Sequence, residues 1–185
     1  LQGRHGSFFE WNNQWYFIYC DVSQTGNRYF RDSFISYVHY KDNGEMAIIR
    51  VDGVGVGNYN ANNSIEAEDY FKSHDIKKIE NTIGGFSIQP QKELSYTVYP
   101  NVKGLSDKTT LELEVIAGEN TEIEVRKDNP NGQLLFTCNV PKNDIYTLQK
   151  RQFDIKNLED LQSLCFIFKN IKHKSFILNR FQFKN

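Results

Sequence analysis

Two neighbouring stretches decide the fold class: Thr110–Gly118 reads TLELEVIAG, and Glu122–Asp128 reads EIEVRKD. In both stretches apolar residues alternate with acidic or polar ones. This two-residue period is typical of a β-strand that buries one face and exposes the other to water. The two stretches therefore predict strands of a sheet with an apolar inner face and a charged outer face.

Strand-like patterns continue on both sides of these stretches, and only Asn157–Ser163 looks helical, for about one turn. Many short strands at close spacing predict a β-sandwich. The predicted segments between Ile65 and Phe183 are IEAEDYF, GFSIQ, LSYTVYP, TLELEVIAG, EIEVRKD, LLFTCNV, YTLQKRQFDI, SLCFIFKN and FILNRFQF.

The first fifty-odd residues form a separate pattern of four short strands with tight turns. These strands are SFFEW, QWYFIYC, SFISYVHY and MAIIRV, and four in such a length fit one propeller blade or a small meander. The stretch DGVGVGNYNANNS (52–64), rich in glycine and asparagine, follows without apolar periodicity. We place the domain boundary near 59–63, which gives an N-terminal domain at 1–59 and a sandwich at 64–185.

Composition narrows the classes of function. The 185 residues carry 22 Lys or Arg against 23 Asp or Glu, a net charge of −1, so we expect no nucleic-acid partner. No apolar run approaches the roughly 18 residues that span a bilayer, and we expect no membrane partner. The chain starts at Leu1 without a signal-peptide pattern, and its only methionine is Met46. We therefore expect a piece, or a mature product, of a longer protein.

The three cysteines, Cys20, Cys138 and Cys165, are too widely spaced for a CxxC metal site. Each can be a small buried apolar residue. The alternative is a bridge between Cys138 and Cys165, which requires a secreted protein and neighbouring strands.

Residues 3–59 resemble the last blade of the five-bladed propeller in glycoside hydrolase family 43. The residues that carry this resemblance are HGSFFEWNNQWYFIYC (His5–Cys20), FRDSFISYVHYKDNGEM (Phe30–Met46) and VGVGNY (Val54–Tyr59). Residues 65–183 resemble a family 6 carbohydrate-binding module, a jelly-roll β-sandwich. Here the motifs are IEAEDY (Ile65–Tyr70), GGFSI (Gly84–Ile88), LSYTVYPN (Leu94–Asn101) and ILNRFQF (Ile177–Phe183). The two resemblances imply an all-β chain, with a propeller's last blade followed by a β-sandwich.

The hydrolase resemblance implies that the three essential carboxylates lie on earlier blades, so this chain would contain no catalytic residue. Glycoside hydrolysis needs a carboxyl pair across the scissile bond, and a new pair at Glu66 and Glu68 is disfavoured because such strand residues are usually solvated. The resemblance places His5 in the central substrate cavity, although a histidine near a terminus can equally be structural. It gives Arg31 a sugar-binding role, and pairing of Arg31 with Asp32 or Asp21 is the alternative.

The module resemblance implies a structural calcium ion held by Glu66, Glu68 and Asn179. Calcium prefers such hard oxygen ligands, and solvated carboxylates are the alternative. Sugar binding needs an aromatic plane against a pyranose face. The family's loop-end cleft has lost its aromatic residues here, at 89–93 and 142–145. The remaining candidate platforms are Tyr96, Tyr99 and Tyr146, which can instead be core residues.

The resemblances together imply the C-terminal part of a secreted, periplasmic or cell-surface glycosidase. We expect its partner to be a plant cell-wall polysaccharide with xylosyl or arabinosyl units, such as xylan or arabinan. A lone blade exposes two apolar faces, so we also expect the missing N-terminal propeller part as a partner. The alternatives are a carbohydrate-binding module without a catalytic part, a purely structural sandwich and an adhesion-type sandwich unrelated to sugars.

Overall fold

The computed structural model describes residues 5–22, 24–27, 29–51, 53–81, 85–143 and 147–185. The chain divides into two compact units, Leu1–Val56 and Gly57–Asn185. All regular structure in the described ranges is β, as predicted, and no helix there is long and apolar enough to cross a membrane.

The first unit contains one antiparallel sheet of three strands, in the order β1-β2-β3. These are β1 (Gly6–Trp11), β2 (Gln14–Asp21) and β3 (Asp32–Val38). Asn12 and Asn13 connect β1 to β2 with φ angles of 53° and 62°, which suits a tight hairpin turn. The predicted fourth strand, MAIIRV, does not form. Only a single bridge joins Met46 to Tyr40, and the run continues without a partner strand.

Both faces of this three-stranded sheet are aromatic. Register places ladders of neighbouring aromatic rings on opposite faces, with centroid separations of 4.7–5.7 Å. A sheet with one wet face alternates apolar and polar residues, and this sheet does not. One ladder comprises Phe8, Phe17, Tyr19 and Phe34, and the other comprises Phe9, Tyr16 and Tyr37.

The second unit is a sandwich of two six-stranded sheets. Its strands are β4 (Tyr59–Asn60), β5 (Ile65–Glu66), β6 (Lys72–His74), β7 (Ile76–Glu80), β8 (Phe86–Pro90), β9 (Ser95–Lys103), β10 (Thr110–Ala117), β11 (Thr121–Lys127), β12 (Leu134–Val140), β13 (Gln149–Asp154), β14 (Leu161–Lys169) and β15 (Phe176–Lys184). We call β13-β10-β15-β8-β7, with β5 beside β15, the first sheet. The second sheet is β12-β11-β14-β9-β4, with β6 beside β9.

The apolar positions of β10 and β11 face the core, as their alternation predicts. Leu111, Leu113, Ile123 and Val125 are all fully buried. The acidic residues between them point outward, where lysines and Arg180 of neighbouring strands pair with them, and Glu124 also pairs with Arg126 of its own strand. Each sheet therefore has one apolar face in the core and an outer face with paired charges, and the outer face of the second sheet also carries the small apolar cluster of Val98, Cys165 and Ile167.

Aromatic residues fill the centre of this core, around Tyr99. The Tyr99 ring lies 5.5 Å from Phe166 and 4.9 Å from Phe181, in edge-on contacts. Its hydroxyl donates a 2.8 Å hydrogen bond to the carbonyl of Ala67. Tyr99 thus fixes the loop after β5 against both sheets.

Two local expectations differ from the structure. The helical turn over 157–163 is absent, because Leu161 already begins β14. The segment 57–63 belongs to the sandwich, because β4 pairs in parallel with Val102 and Lys103 of β9. The division between the units therefore falls a few residues before the predicted boundary.

All three cysteines are free thiols, and Cys138 and Cys165 do not form the bridge that was the alternative. Cys138 lies on β12 and Cys165 on β14, and β11 separates the two strands. Two strand spacings amount to about 10 Å, which exceeds the reach of a disulfide. In addition, Cys138 faces the main core, whereas Cys165 packs with Val98 and Ile167 in a separate cluster.

Candidate functional site

Among the described residues, one aromatic platform lies on the outer face of the second sheet, the half-buried Tyr96 of β9. Its ring stacks on His74 of the adjacent β6 at 5.5 Å between centroids, with planes inclined by 24°. On the other side, register places Ile167 of β14 opposite Tyr96. Tyr96 therefore sits between an exposed imidazole and an apolar floor.

A charged cluster lies one strand further across the same face. Glu124 of β11 is opposite Ile167, which puts it about 10 Å from Tyr96 at ordinary strand spacing. Glu124 accepts hydrogen bonds from Lys169 and from Arg126, the latter at 2.8 Å. The Lys169 bond, with help from Arg126, holds the pKa of Glu124 below its usual range. We call Tyr96, His74, Glu124, Arg126 and Lys169 the outer-face site.

A second concave site lies where several strands end, and we call it the loop-end basin. It has a volume of about 360 Å³, within the usual range for small-ligand sites. Residues of the β10–β11 turn, of the β14–β15 turn and of the segment after β12 line it. They are Gly118, Glu119, Asn120, Lys142, Asn170, Lys172 and His173.

Glu119 holds the β14–β15 turn in place at this basin. Its buried carboxylate accepts backbone N–H groups from Lys172 at 2.8 Å, His173 at 3.2 Å and Ser175 at 3.3 Å, and also the Ser175 hydroxyl. Burial raises the pKa of this carboxyl, but the four donors outweigh it and leave the pKa below its usual range. The carboxylate oxygens of Glu119 thus accept hydrogen bonds mainly from backbone N–H groups of the β14–β15 turn.

A concave surface therefore lies at the predicted loop end, but its described lining has no aromatic side chain that could stack on a sugar. Gln89 donates to the carbonyl of Lys174 at 2.7 Å and Glu93 accepts the amide of Ile171 at 3.1 Å, so the β8–β9 loop meets the β14–β15 turn at this end. Polar and charged side chains line the basin, and no aromatic platform stands among its described lining residues.

Of the three predicted tyrosine platforms, the structure places one on a surface. Tyr96 belongs to the outer-face site. The prediction for Tyr99 is wrong, because this residue has no exposed surface and packs in the core. Tyr146 lies outside the described residues, so its role stays a prediction.

The predicted calcium ligands lie on and beside the first sheet: Glu66 on β5, Glu68 in the loop after β5, and Asn179 on the inner strand β15. Burial raises the pKa of Glu66, and it raises the pKa of Glu68 to about 8 with a further contribution from Asp69. Asn179 Oδ1 already accepts hydrogen bonds from Ser87 and Asn81, both at 2.9 Å. The two glutamates are therefore the oxygen donors on which a metal there would depend.

Positive charge also lies close to these glutamates. Register puts Arg180 opposite Glu66, and the ammonium of Lys78 lies 5.1 Å from the Tyr70 ring centroid, facing Asp69 and Glu68. Burial lowers the pKa of Lys78 to about 8. Within the described ranges, no three His, Cys, Asp or Glu side chains are grouped so as to hold a metal.

His5 and Arg31 both lie beside Cys20 in the first unit. The amide of Cys20 donates to the His5 carbonyl at 3.0 Å. A hydrogen bond from the His5 backbone, followed by the Arg31 guanidinium, lowers the pKa of the Cys20 thiol. The structure thus brings the two predicted cavity residues together at an exposed end of β2.

Sequence reasoning missed most of both sites. The alternation of β11 marked Glu124 and Arg126 as outward-facing but gave no reason to place them near Tyr96. No local pattern connects Glu119 to Lys172, since the link between their turns is tertiary.

No protein family and no curated protein matches the sequence. Among solved structures, a glycoside hydrolase family 43 arabinoxylan arabinofuranohydrolase from Bacillus subtilis, in complex with cellotetraose, aligns with 98% of this chain at 21% identity and a TM-score of 0.65. The alignment covers 41% of that enzyme, so the present chain spans less than half of its length.

Isolated modules align with a smaller part of this chain. A family 6 carbohydrate-binding module from Clostridium cellulolyticum, in complex with xylose, covers 68% of this chain and 99% of its own at 26% identity and a TM-score of 0.63. A module from Clostridium stercorarium in complex with cellobiose covers 73% of this chain and 99% of its own, at 24% identity and a TM-score of 0.64. The second unit therefore has the β-sandwich fold of family 6 carbohydrate-binding modules.

Proposed function

We propose that Gly57–Asn185 is a carbohydrate-binding module and that the preceding unit is the last propeller blade of a glycosidase. The observation that carries this proposal is a double structural match. Almost the whole chain aligns with one family 43 enzyme, while modules solved with xylose and with cellobiose align over 99% of their own length with 68% and 73% of this chain.

The outer-face site is the binding surface in this proposal. Aromatic rings bind the apolar face of a pyranose, and planar polar groups beside them bind hydroxyls. Tyr96 supplies the ring, and Glu124 with Arg126 supplies the polar edge about two strand spacings away. That separation suits an oligosaccharide that lies across the strands. Plant cell-wall chains with xylosyl or arabinosyl units are the substrates we propose.

The aromatic faces of the first unit support its role as a blade. Phe8, Phe9 and Trp11 of β1 are each more than a third exposed on an edge strand. Such a sheet is stabilised when further blades cover it, so the partner is the remaining propeller of a longer protein. In that protein His5 and Arg31 would line the substrate cavity, and the catalytic carboxylates would lie on other blades. A secreted or cell-surface location follows from such a substrate.

Calcium at Glu66 and Glu68 is a further part of the proposal. Burial penalises the charged form of both carboxylates, and a bound cation would offset that penalty. Calcium should then raise the melting temperature of the sandwich relative to a chelator. The variant Glu68→Gln should abolish this difference, and a melting temperature that is equal with calcium and with chelator would exclude the ion.

A purely structural sandwich is the second candidate. The absence of an aromatic platform from the described lining of the loop-end basin favours it. In this alternative the sandwich only supports the propeller, and no residue of the outer-face site contacts sugar.

Calorimetric titration of the whole chain with xylotetraose and arabinoxylan oligosaccharides separates the two candidates. We expect saturable binding without hydrolysis, and at least a tenfold loss of affinity in Tyr96→Ala. That loss corresponds to about 1.4 kcal/mol, within the range for one aromatic contact. The control is Tyr29→Ala, which removes an exposed tyrosine of the first unit. Lack of binding by the unmodified chain would refute the binding function.

A further inference from the structure

A lysine, an asparagine and an aspartate contact one another where β10 begins and β15 ends. Lys108 Nζ donates a 2.6 Å hydrogen bond to Asn185 Oδ1 and lies 3.2 Å from Asp107 Oδ1. Asn185 Nδ2 donates in turn to Asp107 Oδ2 at 3.3 Å. An amine, a carboxamide and a carboxylate therefore form a closed ring of polar contacts, and we call these three residues the triad.

Lys108 differs from the other ion-paired lysines of the described residues because its side chain is buried. It is 6% exposed, whereas the side chains of the others are 28–70% exposed. Burial restricts Lys108 to few rotamers and holds its amine against Asn185 and Asp107. A nucleophile that is already held against its electrophile has less entropy to lose on the way to reaction.

Backbone hydrogen bonds fix this arrangement independently of the three side chains. The amide of Lys108 donates to the carbonyl of Leu105 at 3.1 Å. The amide of Thr109 donates to the carbonyl of Lys184 at 2.9 Å, and β10 pairs with β15 from this point onward. Lys108 and Asn185 are thus held side by side although they lie 77 positions apart in the sequence.

The amine also lies close to the carbon that it can attack. A carbonyl bond is about 1.2 Å long, so Cγ of Asn185 lies less than about 4 Å from Lys108 Nζ. Reacting atoms meet at about 3–3.5 Å. A side-chain movement of less than about 1 Å therefore brings the two atoms to a reactive separation.

We propose that Lys108 and Asn185 condense into an intramolecular amide bond, with Asp107 as the proton carrier. Asp107 takes a proton from the Lys108 ammonium, and the neutral Nζ forms a bond to Cγ of Asn185. Asp107 then returns this proton to Nδ2, the Cγ–Nδ2 bond breaks, and ammonia leaves. Nζ gives up a second proton, which ends on the ammonia. A lysine ammonium and a carboxamide thus become a secondary amide and one ammonium ion, with no change of oxidation state and no co-reactant.

The surroundings of the triad suit this reaction. The Asp107 side chain is 62% exposed, which gives the ammonia a route to solvent. The new bond joins the start of β10 to the end of β15, which are neighbours in the first sheet. Such a link closes a long loop and removes conformational freedom from the unfolded chain. The inference goes beyond the proposed function, because no residue of the outer-face site takes part.

Intact-mass spectrometry of the whole chain tests the bond. After incubation in mildly alkaline buffer, where more of an amine is neutral, we expect most molecules to have lost the mass of one ammonia. Cleavage after Glu93, Glu112 and Glu159 by a glutamate-specific endopeptidase should then release segments 94–112 and 160–185 as one cross-linked peptide. Fragmentation of this peptide should place the link between Lys108 and Asn185.

Three variants assign the roles within the triad. Lys108→Gln should abolish the cross-link. Asp107→Ala should slow its formation at least tenfold, although both reacting residues remain. The matched control is Asp160→Ala, which removes another exposed aspartate, hydrogen-bonded to Ser106 at 3.0 Å, and should leave the rate unchanged.

The outcomes are distinct. An unchanged mass with two separate peptides would overturn the inference. A loss of ammonia that persists in Lys108→Gln would also overturn it, because it would indicate a cyclic imide at a single asparagine. A rate that Asp107→Ala leaves unchanged would overturn the role of the carboxylate. Oligosaccharide titration of the same samples tests the proposed function separately, since sugar binding does not require this bond.

Discussion

Replacing Glu119 by alanine should destabilise the sandwich by about 2–3 kcal/mol. The variant removes the acceptor for four donors, of which the Lys172 amide, at 2.8 Å, is the closest. A hydrogen bond to a charged group contributes about 1.5–3 kcal/mol. The other donors are longer, at 3.2–3.3 Å, and the exposed ones can turn to water, so they add little.

Urea unfolding of the whole chain, followed by near-ultraviolet circular dichroism at pH 7, measures this loss. The matched control is Glu122→Ala on the second sheet, whose contact with Lys169 is 3.5 Å long and partly exposed. That variant should cost less than about 1 kcal/mol. A Glu119→Ala variant that stays within about 0.5 kcal/mol of the unmodified chain would refute the anchoring role.

The effect of Glu119 should also depend on pH with a defined sign. The folded-state pKa is below the ordinary value, so the stabilisation is fully present above the unfolded-state pKa of about 4.3. It is lost as the pH falls through the lower folded-state pKa. The two unfolding curves, of the unmodified chain and of Glu119→Ala, should therefore converge in acid. A gap that widens below pH 4 would contradict the assignment.

Three other predictions concern the core, the thiols and the first sheet. Tyr99→Ala should cost about 3–5 kcal/mol by the urea assay, because a fully buried ring is deleted, and a loss below 1 kcal/mol would contradict its central position. Iodoacetamide should alkylate Cys20 in the native chain well before Cys138 or Cys165, whose pKa values burial raises to about 12; mass spectrometry of peptides would show any other order. Glu112→Gln should destabilise the chain at pH 7 and match it near pH 2, because hydrogen bonds from its lysine partners lower the pKa of Glu112 to about 2; an unchanged difference at pH 2 would exclude this titration.

The local part of the fold could be predicted from the sequence because strand period and turn chemistry are local properties. The alternation in β10 and β11 predicted which residues are buried, and the structure confirms it for Leu111 and Val125. MAIIRV has the composition of a strand but has no partner strand, so the strand predicted from residue propensity alone is wrong.

The candidate sites were harder to predict because long-range pairing assembles them. That β14 lies between β11 and β9 brings Glu124 towards Tyr96, and no local pattern encodes that order. One error was avoidable. Tyr96 and Tyr99 are three residues apart on one strand, so their side chains point to opposite faces, and both could not have been surface platforms.

The position of β11 between the two cysteine-bearing strands has a consequence for how this sandwich folds. All three cysteines lie in the described part of the chain, and none is cross-linked. The refolding reaction therefore needs neither an oxidant nor a disulfide isomerase, and it should proceed equally in a reducing cytosol. We expect the pairings of β10 with β15 and of β9 with β14 to limit its rate, because the long intervening chain segments must be closed before these contacts compensate for the lost chain entropy.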